Sequence, residues 1–349
     1  MTIAVTGATG HLGRLTIAAL QERGVDPGTI VAVVRDTAKA ADLAAAGVQV
    51  RAADYADPDA LREALAGVDK LLLISGSEVG QRLQQHTNII EAAKAAGVGS
   101  IAYTSVLAAD TTPLALAAEH KATEELLAES GIAHTLLRNG WYWENYESAV
   151  DTAKATGALF GAAGTGRVAG AARKDFADAA AVVLTTDGHD GATYELGGDQ
   201  HLTYADIADV LSRIVGTEVT YKDLPQAEYA TMLEGAGVPA PFARILADSD
   251  AGIAAGVLDT DRDDLRRLTG HPSTPPADVL APDTQRIWTS TPEYWVDVHT
   301  PETRRRLCDP PPHRPRTARV RPRRYSRRGH SDPGRGPRTG GGPTRSRAP

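Results

Sequence analysis

Gly7-Ala8-Thr9-Gly10-His11-Leu12-Gly13 is the stretch that decides how this chain is read. It follows Thr2-Ile3-Ala4-Val5-Thr6, an apolar run suited to a buried strand. It leads into Leu12-Gly13-Arg14-Leu15-Thr16-Ile17-Ala18-Ala19-Leu20, where apolar side chains recur at helical spacing. Strand, glycine-rich turn and helix form the context that separates a dinucleotide fingerprint from a chance set of glycines. Gly7 permits the tight turn, and Gly10 lets the backbone come close to a pyrophosphate. Gly13 removes a side chain where the helix packs on the strand. The helix start then offers unpaired N–H groups and the positive end of its dipole to phosphates. The spacing is G-x-x-G-x-x-G, not the G-x-G-x-x-G of many dehydrogenases.

Outward from this turn the chain alternates strand and helix. Ile30–Val34 reads as a second strand and ends in Arg35-Asp36. An acid at this strand end binds ribose hydroxyls, whereas an arginine favours the 2′-phosphate of NADP. Arg35 therefore points to NADPH, with NADH the weaker ligand, and Asp36 reads as an N-cap for the segment after it. Asp54, just past a third strand at Val48–Ala52, either lies near an adenine or caps a helix over Pro58–Leu65. Lys70–Ile74 is near-continuously apolar, as a central parallel strand should be. It ends in Ser75-Gly76-Ser77 at the carboxyl edge of the sheet, where ligands of open α/β sheets lie. A helix over Gln81–Ala96 stopped by Gly97, a strand at Ser100–Thr104, a helix over Leu114–Ser130 and a strand at Ala133–Leu137 complete the pattern. The alternation predicts an α/β fold with a Rossmann-type doubly wound parallel sheet over residues 1–150.

Arg138-Asn139-Gly140-Trp141-Tyr142-Trp143-Glu144-Asn145-Tyr146 follows at once. Only 5% of the chain is aromatic, yet this segment holds four such residues at the edge where a nicotinamide would lie. They form either an aromatic core beneath a domain junction or a flat slot for a planar ring, with Asn139 and Asn145 orienting it. Leu159–Arg167 is glycine-rich and hairpin-like. Arg173 opens an apolar helix through Leu184 and faces either a phosphate or substrate, or an acidic neighbour. A strand at Thr193–Leu196 and helices at Tyr204–Val215, Pro225–Leu233 and Ala240–Ala255 make residues 151–280 a smaller α-rich lobe, part of which can return to the sheet.

From residue 281 to 349 periodicity is lost and Arg, Pro and Gly dominate, a composition that predicts disorder. Residues 301–349 carry fifteen arginines, no lysine and three acids, a local charge of +12 that leaves −19 on the rest of a chain totalling −7. A nucleic-acid-binding tail is one reading. Arginine without lysine looks compositional instead, so an out-of-frame or read-through terminus is preferred and no nucleic-acid partner is expected. The single cysteine, Cys308, excludes internal disulfides and Cys-rich metal sites. With no run of eighteen apolar residues and a strand at the very start, the expectation is a cytoplasmic protein without a membrane segment.

Carbonyl-reducing short-chain dehydrogenases use Tyr-x-x-x-Lys, and no tyrosine here has lysine four residues on. Lys121 lies on the helix where such a lysine would occur, but with no tyrosine to accompany it the reading as a solvated surface residue is preferred. No nucleophile elbow or His-rich metal motif is present either. A cofactor site without a positioned acid suits acceptors such as quinones, whose reduced anion can be protonated by water, and leaves proximity as the main contribution. No catalytic residue is assigned.

GATGHLG, VAVVRD, LLLISGSEVGQR, IAYTS and LLRNGWYWENY, in this order and spacing, resemble the bacterial type-2 NAD(P)H:quinone oxidoreductases of the NmrA-like, atypical short-chain dehydrogenase group. The resemblance covers roughly residues 2–280. It implies flavin-free, metal-free two-electron reduction of a small quinone with NADPH, and leaves a homodimer open. It implies cofactor contacts at Gly7, Ala8, Thr9, Gly10, His11, Leu12, Arg35, Ser75, Gly76, Ser77, Asn139, Gly140, Trp141, Tyr142, Trp143 and Glu144, and suggests Arg173. Asn139, Trp141, Tyr142 and Asn145 are the candidates for substrate binding. Trp143 is bulkier than the small residue expected at its position, and the tail has no counterpart. A non-catalytic NADP-binding redox sensor, and an epimerase or carbonyl reductase using Lys121, are the rival functions.

Overall fold

A computed structural model describes residues 1–78 and 80–281. The expectations for the arginine-rich tail and Cys308 lie outside the described residues. The first half alternates as β1 (Ile3–Val5), α1 (His11–Glu22), β2 (Ile30–Val34), α2 (Ala41–Ala45), β3 (Gln49–Ala52), α3 (Pro58–Ala64), β4 (Lys70–Leu73), α4 (Arg82–Ala96), β5 (Ser100–Val106), α5 (Ala117–Ser130) and β6 (Ala133–Asn139). Then come α6 (Glu147–Thr156), β7 (Ala158–Gly161), β8 (Arg167–Gly170), α7 (Arg173–Thr185), β9 (Thr193–Leu196), β10 (Gln200–Thr203), α8 (Tyr204–Val215), β11 (Thr220–Asp223), α9 (Gln226–Gly235), α10 (Ala240–Ala254), α11 (Asp264–Thr269) and α12 (Pro276–Leu280).

Seven strands form one parallel sheet in the order β3-β2-β1-β4-β5-β6-β9. The order reverses between β1 and β4, where Ile3, Ala4 and Val5 face Lys70, Leu71 and Leu72. Burial on both faces explains the unbroken apolar runs. Alternate residues serve opposite cores: Ile3, Val5, Ile30, Ala32, Val34 and Leu72 pack with α1 and α7 residues such as Ile17 and Phe176. Ala4, Val31, Val33, Leu71 and Leu73 pack on the other side with α3 and α4 residues such as Leu61 and Ile89. The doubly wound sheet is thus set by the period-2 alternation of side chains.

Several boundaries differ from the sequence expectation. β5 and β6 run two residues further, so Arg138 and Asn139 end β6 and pair with Ser105 and Val106. The expected hairpin over Leu159–Arg167 does not form: β7 pairs in parallel with β11, and β8 pairs antiparallel with β10. Gly161 and Gly166 serve close approach, a Cβ on Gly166 meeting Ile253 O at 2.0 Å, while Gly164, at φ +54°, sits in a turn closed by Gly166 N on Ala163 O. α7 packs along α1, and β9 adds to β6, so this part of the second half belongs to the Rossmann layers. The remaining lobe holds two small two-stranded sheets as well as helices.

The lobe core gathers Trp143, Tyr146, Leu159, Val168, Tyr204, Ile207, Leu211 and Ile253. Asp250 is buried within it at 3% exposure. Its Oδ1 accepts from Tyr204 Oη at 2.5 Å and its Oδ2 from Ala162 N at 2.8 Å. Burial pushes its carboxyl up to about 6, against the opposing pull of these two hydrogen bonds. A carboxyl raised in the folded state stabilises fully below its unfolded value, 3.8, and that contribution is lost as pH rises through about 6. Wild-type stability relative to Asp250→Asn is therefore expected to fall by about 2–3 kcal/mol between pH 4 and 7. Urea midpoints across that range check this, and parallel curves for the two proteins would contradict it.

Candidate cofactor and substrate site

The glycine turn lies at the carboxyl end of β1, beside the point where the strand order reverses. Gly7 has φ +57°, and its carbonyl accepts from Gly10 N at 2.9 Å, which closes the turn. Gly10 caps α1 with no side-chain hydrogen bond, and the first turn carries no acid. Its N–H groups and dipole thus face outward without a carboxylate to neutralise them. A Cβ on Gly13 would lie 2.4 Å from Gly7 O and 2.8 Å from Ala8 Cα, so only glycine lets α1 start this close to β1. Arg14 braces the turn through Thr9 O at 3.1 Å and Lys39 O at 2.5 Å.

The loop after β4 is held by side chains from four other elements. Ile74 N donates to Thr6 Oγ1 at 3.0 Å, and Tyr55 Oη donates to Ile74 O at 3.1 Å. Ser75 N donates to Thr104 Oγ1 at 2.9 Å. Gly76 N donates to His86 Nε2 at 3.0 Å, and Arg82 Nε donates to Gly76 O at 2.9 Å. Because His86 Nε2 accepts, its hydrogen is on Nδ1 and faces Thr123 Oγ1 at 3.0 Å. Burial, with the Arg82 charge, lowers the imidazole to about 3, so it stays neutral and keeps accepting. Ser75, Gly76 and Ser77 are half-buried on this fixed loop. Tyr55, Thr104 and His86 were not singled out in the sequence, because each reaches the loop only through the tertiary fold.

Arg35 directly follows β2, and its Nη1 lies 2.9 Å from Glu78 Oε1. Asp36 accepts from Ala38 N and caps a single 3₁₀ turn, Thr37–Ala40. Asp57, not Asp54, caps α3 by accepting from Ala60 N at 3.0 Å. Asp54 closes its own turn on Ala56 N, being one turn too early in sequence to reach the helix.

At the end of β6, Asn139 is 5% exposed. Its Nδ2 donates to Tyr142 Oη at 3.1 Å, while its buried Oδ1 has no partner among the described residues. Gly140 N donates to Leu196 O at 2.8 Å. The aromatic segment divides between the two expected roles. Tyr142 is half-buried under Arg173, while Trp141, also half-buried, packs against the lobe core with its indole Nε1 buried. Trp143 is 1% exposed and Tyr146 5%, both in the lobe core. Trp143 lies against Gly170, where a Cβ would meet its ring at 2.7 Å, and its backbone N–H donates to Ala171 O. The bulk of the Trp143 side chain is thus taken up by the lobe core.

Arg173 reaches back to this segment. Its guanidinium lies 4.8 Å from the Tyr142 ring centroid, and Nη2 donates to Asn145 Oδ1 at 3.2 Å. Phe176 meets the same tyrosine edge-on at 5.1 Å. Glu144 accepts from Arg173 N through both oxygens, at 2.9 and 3.1 Å, and so closes the start of α7. Burial raises the Glu144 carboxyl, and the Arg173 charge opposes that rise. Glu144 and Asn145 therefore hold Arg173 in place. Burial, with the charges of Arg173 and Arg14, lowers the His11 imidazole. Lys121 is exposed on α5.

These features fit a dinucleotide. An uncapped helix start suits a pyrophosphate, the glycines leave room for it, and the orphaned Asn139 Oδ1 is an acceptor for an amide donor. Beneath them Arg138 is 8% exposed and bonds Glu124 at 2.7 Å, Asp110 at 2.8 Å and Glu195 at 2.8 Å. That network also escaped the sequence, since its acids come from α5, the β5–α5 loop and β9.

The NmrA-like family profile matches residues 1–251. Quinone oxidoreductase 2 of Escherichia coli (strain K12) is 53% identical over 279 residues, which is 80% of this chain and 97% of that protein. The crystal structure of the NADPH-dependent quinone oxidoreductase QOR2 of E. coli complexed with NADPH is similar at a TM-score of 0.77 and 52% identity, over 80% of this chain and 98% of that one. Citrobacter sp. triphenylmethane reductase complexed with NADP(H) is similar at a TM-score of 0.77 and 40% identity, over 80% and 99% of the two chains. The family match over most of the chain, the extent of these identities and the shared fold lead to one conclusion: this chain belongs to the NmrA-like family.

Proposed function

We propose that this protein is an NADPH-dependent quinone oxidoreductase. The observation that carries it is that the uncapped α1 turn, the pinned β4 loop and the Asn139–Tyr142–Arg173 surface follow the carboxyl ends of β1, β4 and β6 of one parallel sheet. This arrangement occurs in a chain 53% identical to a quinone oxidoreductase. Bound NADPH supplies the hydride. The chain holds the pyrophosphate at the N–H groups of His11 and Leu12, the 2′-phosphate at Arg35, and the ring end beside Asn139, Gly140 and Tyr142. Asn139 Oδ1 accepts from a carboxamide. Trp141 and Tyr142 provide apolar surface for a planar acceptor and keep water from it. The balanced reaction adds one hydride and one proton to the quinone, and the proton comes from water, since no tyrosine–lysine pair is present in the sequence.

On this reading neither flavin nor a resident metal takes part. Asp175, Asp178 and His271 do cluster, but Asp175 already accepts from Ala172 N and Thr274 and serves the fold. No described helix is long and apolar enough to cross a membrane. We take the enzyme to act in the cytoplasm on a small quinone without a nucleic-acid partner, with a homodimer compatible with that role. The lobe within residues 151–280 covers the acceptor side.

Stopped-flow NADPH oxidation with and without a small benzoquinone tests the proposal. Quinone-dependent oxidation is expected, and oxidation that never depends on quinone would overturn the proposal. Arg35→Ala is expected to weaken NADPH about ten- to a hundredfold through loss of a charge-assisted pair, with NADH nearly unchanged. Equal losses for both cofactors would remove Arg35 from the phosphate.

A further inference from the structure

Glu78 follows the pinned loop, and its carboxylate is divided between two elements. Oε1 takes Arg35 Nη1 at 2.9 Å, and Oε2 takes Gln85 Nε2 at 2.8 Å. Gln85 is 7% exposed, and its Oε1 faces Gly76, where a Cβ would approach it to 2.9 Å. The amide is thus fixed from α4, and it holds the carboxylate whether or not Arg35 stays. The ion pair itself is open, with both side chains 44% exposed, and such pairs exchange easily for a stronger partner. A phosphate monoester, with more charge and three acceptor oxygens, is that partner. Asp36 and Asp54 are engaged with the backbone at Ala38 and Ala56, and Glu78 places a carboxylate on the guanidinium.

We infer that Glu78 is a specificity-determining residue that competes with the adenosine 2′-phosphate for Arg35. The inference rests on Arg35 as the phosphate partner. Binding of a 2′-phosphorylated ligand breaks the Arg35–Glu78 contact, and Gln85 keeps the displaced carboxylate near the incoming anion. An unphosphorylated ligand leaves the pair intact. Glu78 therefore narrows the preference for NADPH that Arg35 creates, and its removal widens that preference.

The test is calorimetric titration of 2′,5′-ADP and 5′-ADP into wild type, Glu78→Gln and Arg35→Ala, at low and high salt, with thermal midpoints to confirm folding. Glu78→Gln is expected to bind 2′,5′-ADP about three- to tenfold tighter, with a gain that shrinks as salt rises, and 5′-ADP within about twofold of wild type. The NADPH KM falls accordingly while kcat holds. Unchanged or weaker 2′,5′-ADP binding by Glu78→Gln overturns the inference, as does equal tightening of both ligands. Arg35→Ala that binds 2′,5′-ADP like wild type is a different failure. It removes the underlying phosphate assignment, and the competition with it.

Discussion

Arg138→Met is expected to destabilise the protein by about 3–5 kcal/mol, the range for breaking a buried ion pair from one side. Burial disfavours the Arg138 charge, yet its hydrogen bonds to Glu124 and Glu195 more than compensate and raise its affinity for the proton. Glu124 is 8% exposed, and its Oε1 also takes Ser105 Oγ at 2.5 Å. Without the guanidinium this carboxylate stays buried with a single hydroxyl for company. Glu195 is better placed, because it also accepts from Ala108 N and is more open to solvent. The double variant Arg138→Met with Glu124→Gln is therefore expected to recover part of the loss, as the isolated charge is gone. Urea denaturation of the three proteins measures this. A loss under about 1 kcal/mol in the single variant would mean the pair behaves as a solvated one. Arg138 immediately precedes Asn139, so the same variant is expected to raise the NADPH KM.

Gly13→Ala is expected to cost about 1–3 kcal/mol by overpacking and to remove measurable cofactor binding. Its Cβ would meet Gly7 O at 2.4 Å and Ala8 Cα at 2.8 Å, both backbone atoms that cannot rotate away. Relief requires α1 to lift from β1, but α1 is packed along α7, and the turn is the piece that must deform. Gly10→Ala is the informative contrast. There the nearest atom is Gly7 O at 3.2 Å, which a shift of a few tenths of an ångström accommodates. It should leave stability within about 0.5 kcal/mol of wild type while still weakening NADPH, since the methyl group stands where the backbone approaches the pyrophosphate. Similar stability losses for the two variants would show that the turn is not as tightly packed as these distances require.

Local signals account for most of what was legible. The α8 expectation over Tyr204–Val215 matches the observed bounds, because Thr203 and Asp206 form a capping box and Gly216 stops the helix in the left-handed region. Gly97 ends α4 in the same way. The glycine-rich stretch before Arg173 misled because glycine was taken as a turn former. There Gly166 and Gly170 make room for Ile253 and Trp143, neighbours that a linear sequence does not place together. The aromatic segment held both of its readings at once: side chains a residue or two apart on a short 3₁₀ turn point to opposite sides, so Tyr142 faces Arg173 while Trp143 enters the lobe.

The chain's own order of residues determined the strand–turn–helix start, the parallel sheet with both faces covered and the nucleotide-type edge, because these depend on side-chain period, glycine placement and helix ends within a few neighbours. Folding in three dimensions decided which polar groups share a partner. His86 on Gly76, Glu78 on Arg35 and the acids around Arg138 are contacts across 10, 43 and 14 to 57 positions. Electrostatics and hydrogen bonding act through space at a few ångströms, so only the packed sheet and its crossing helices could choose those pairs.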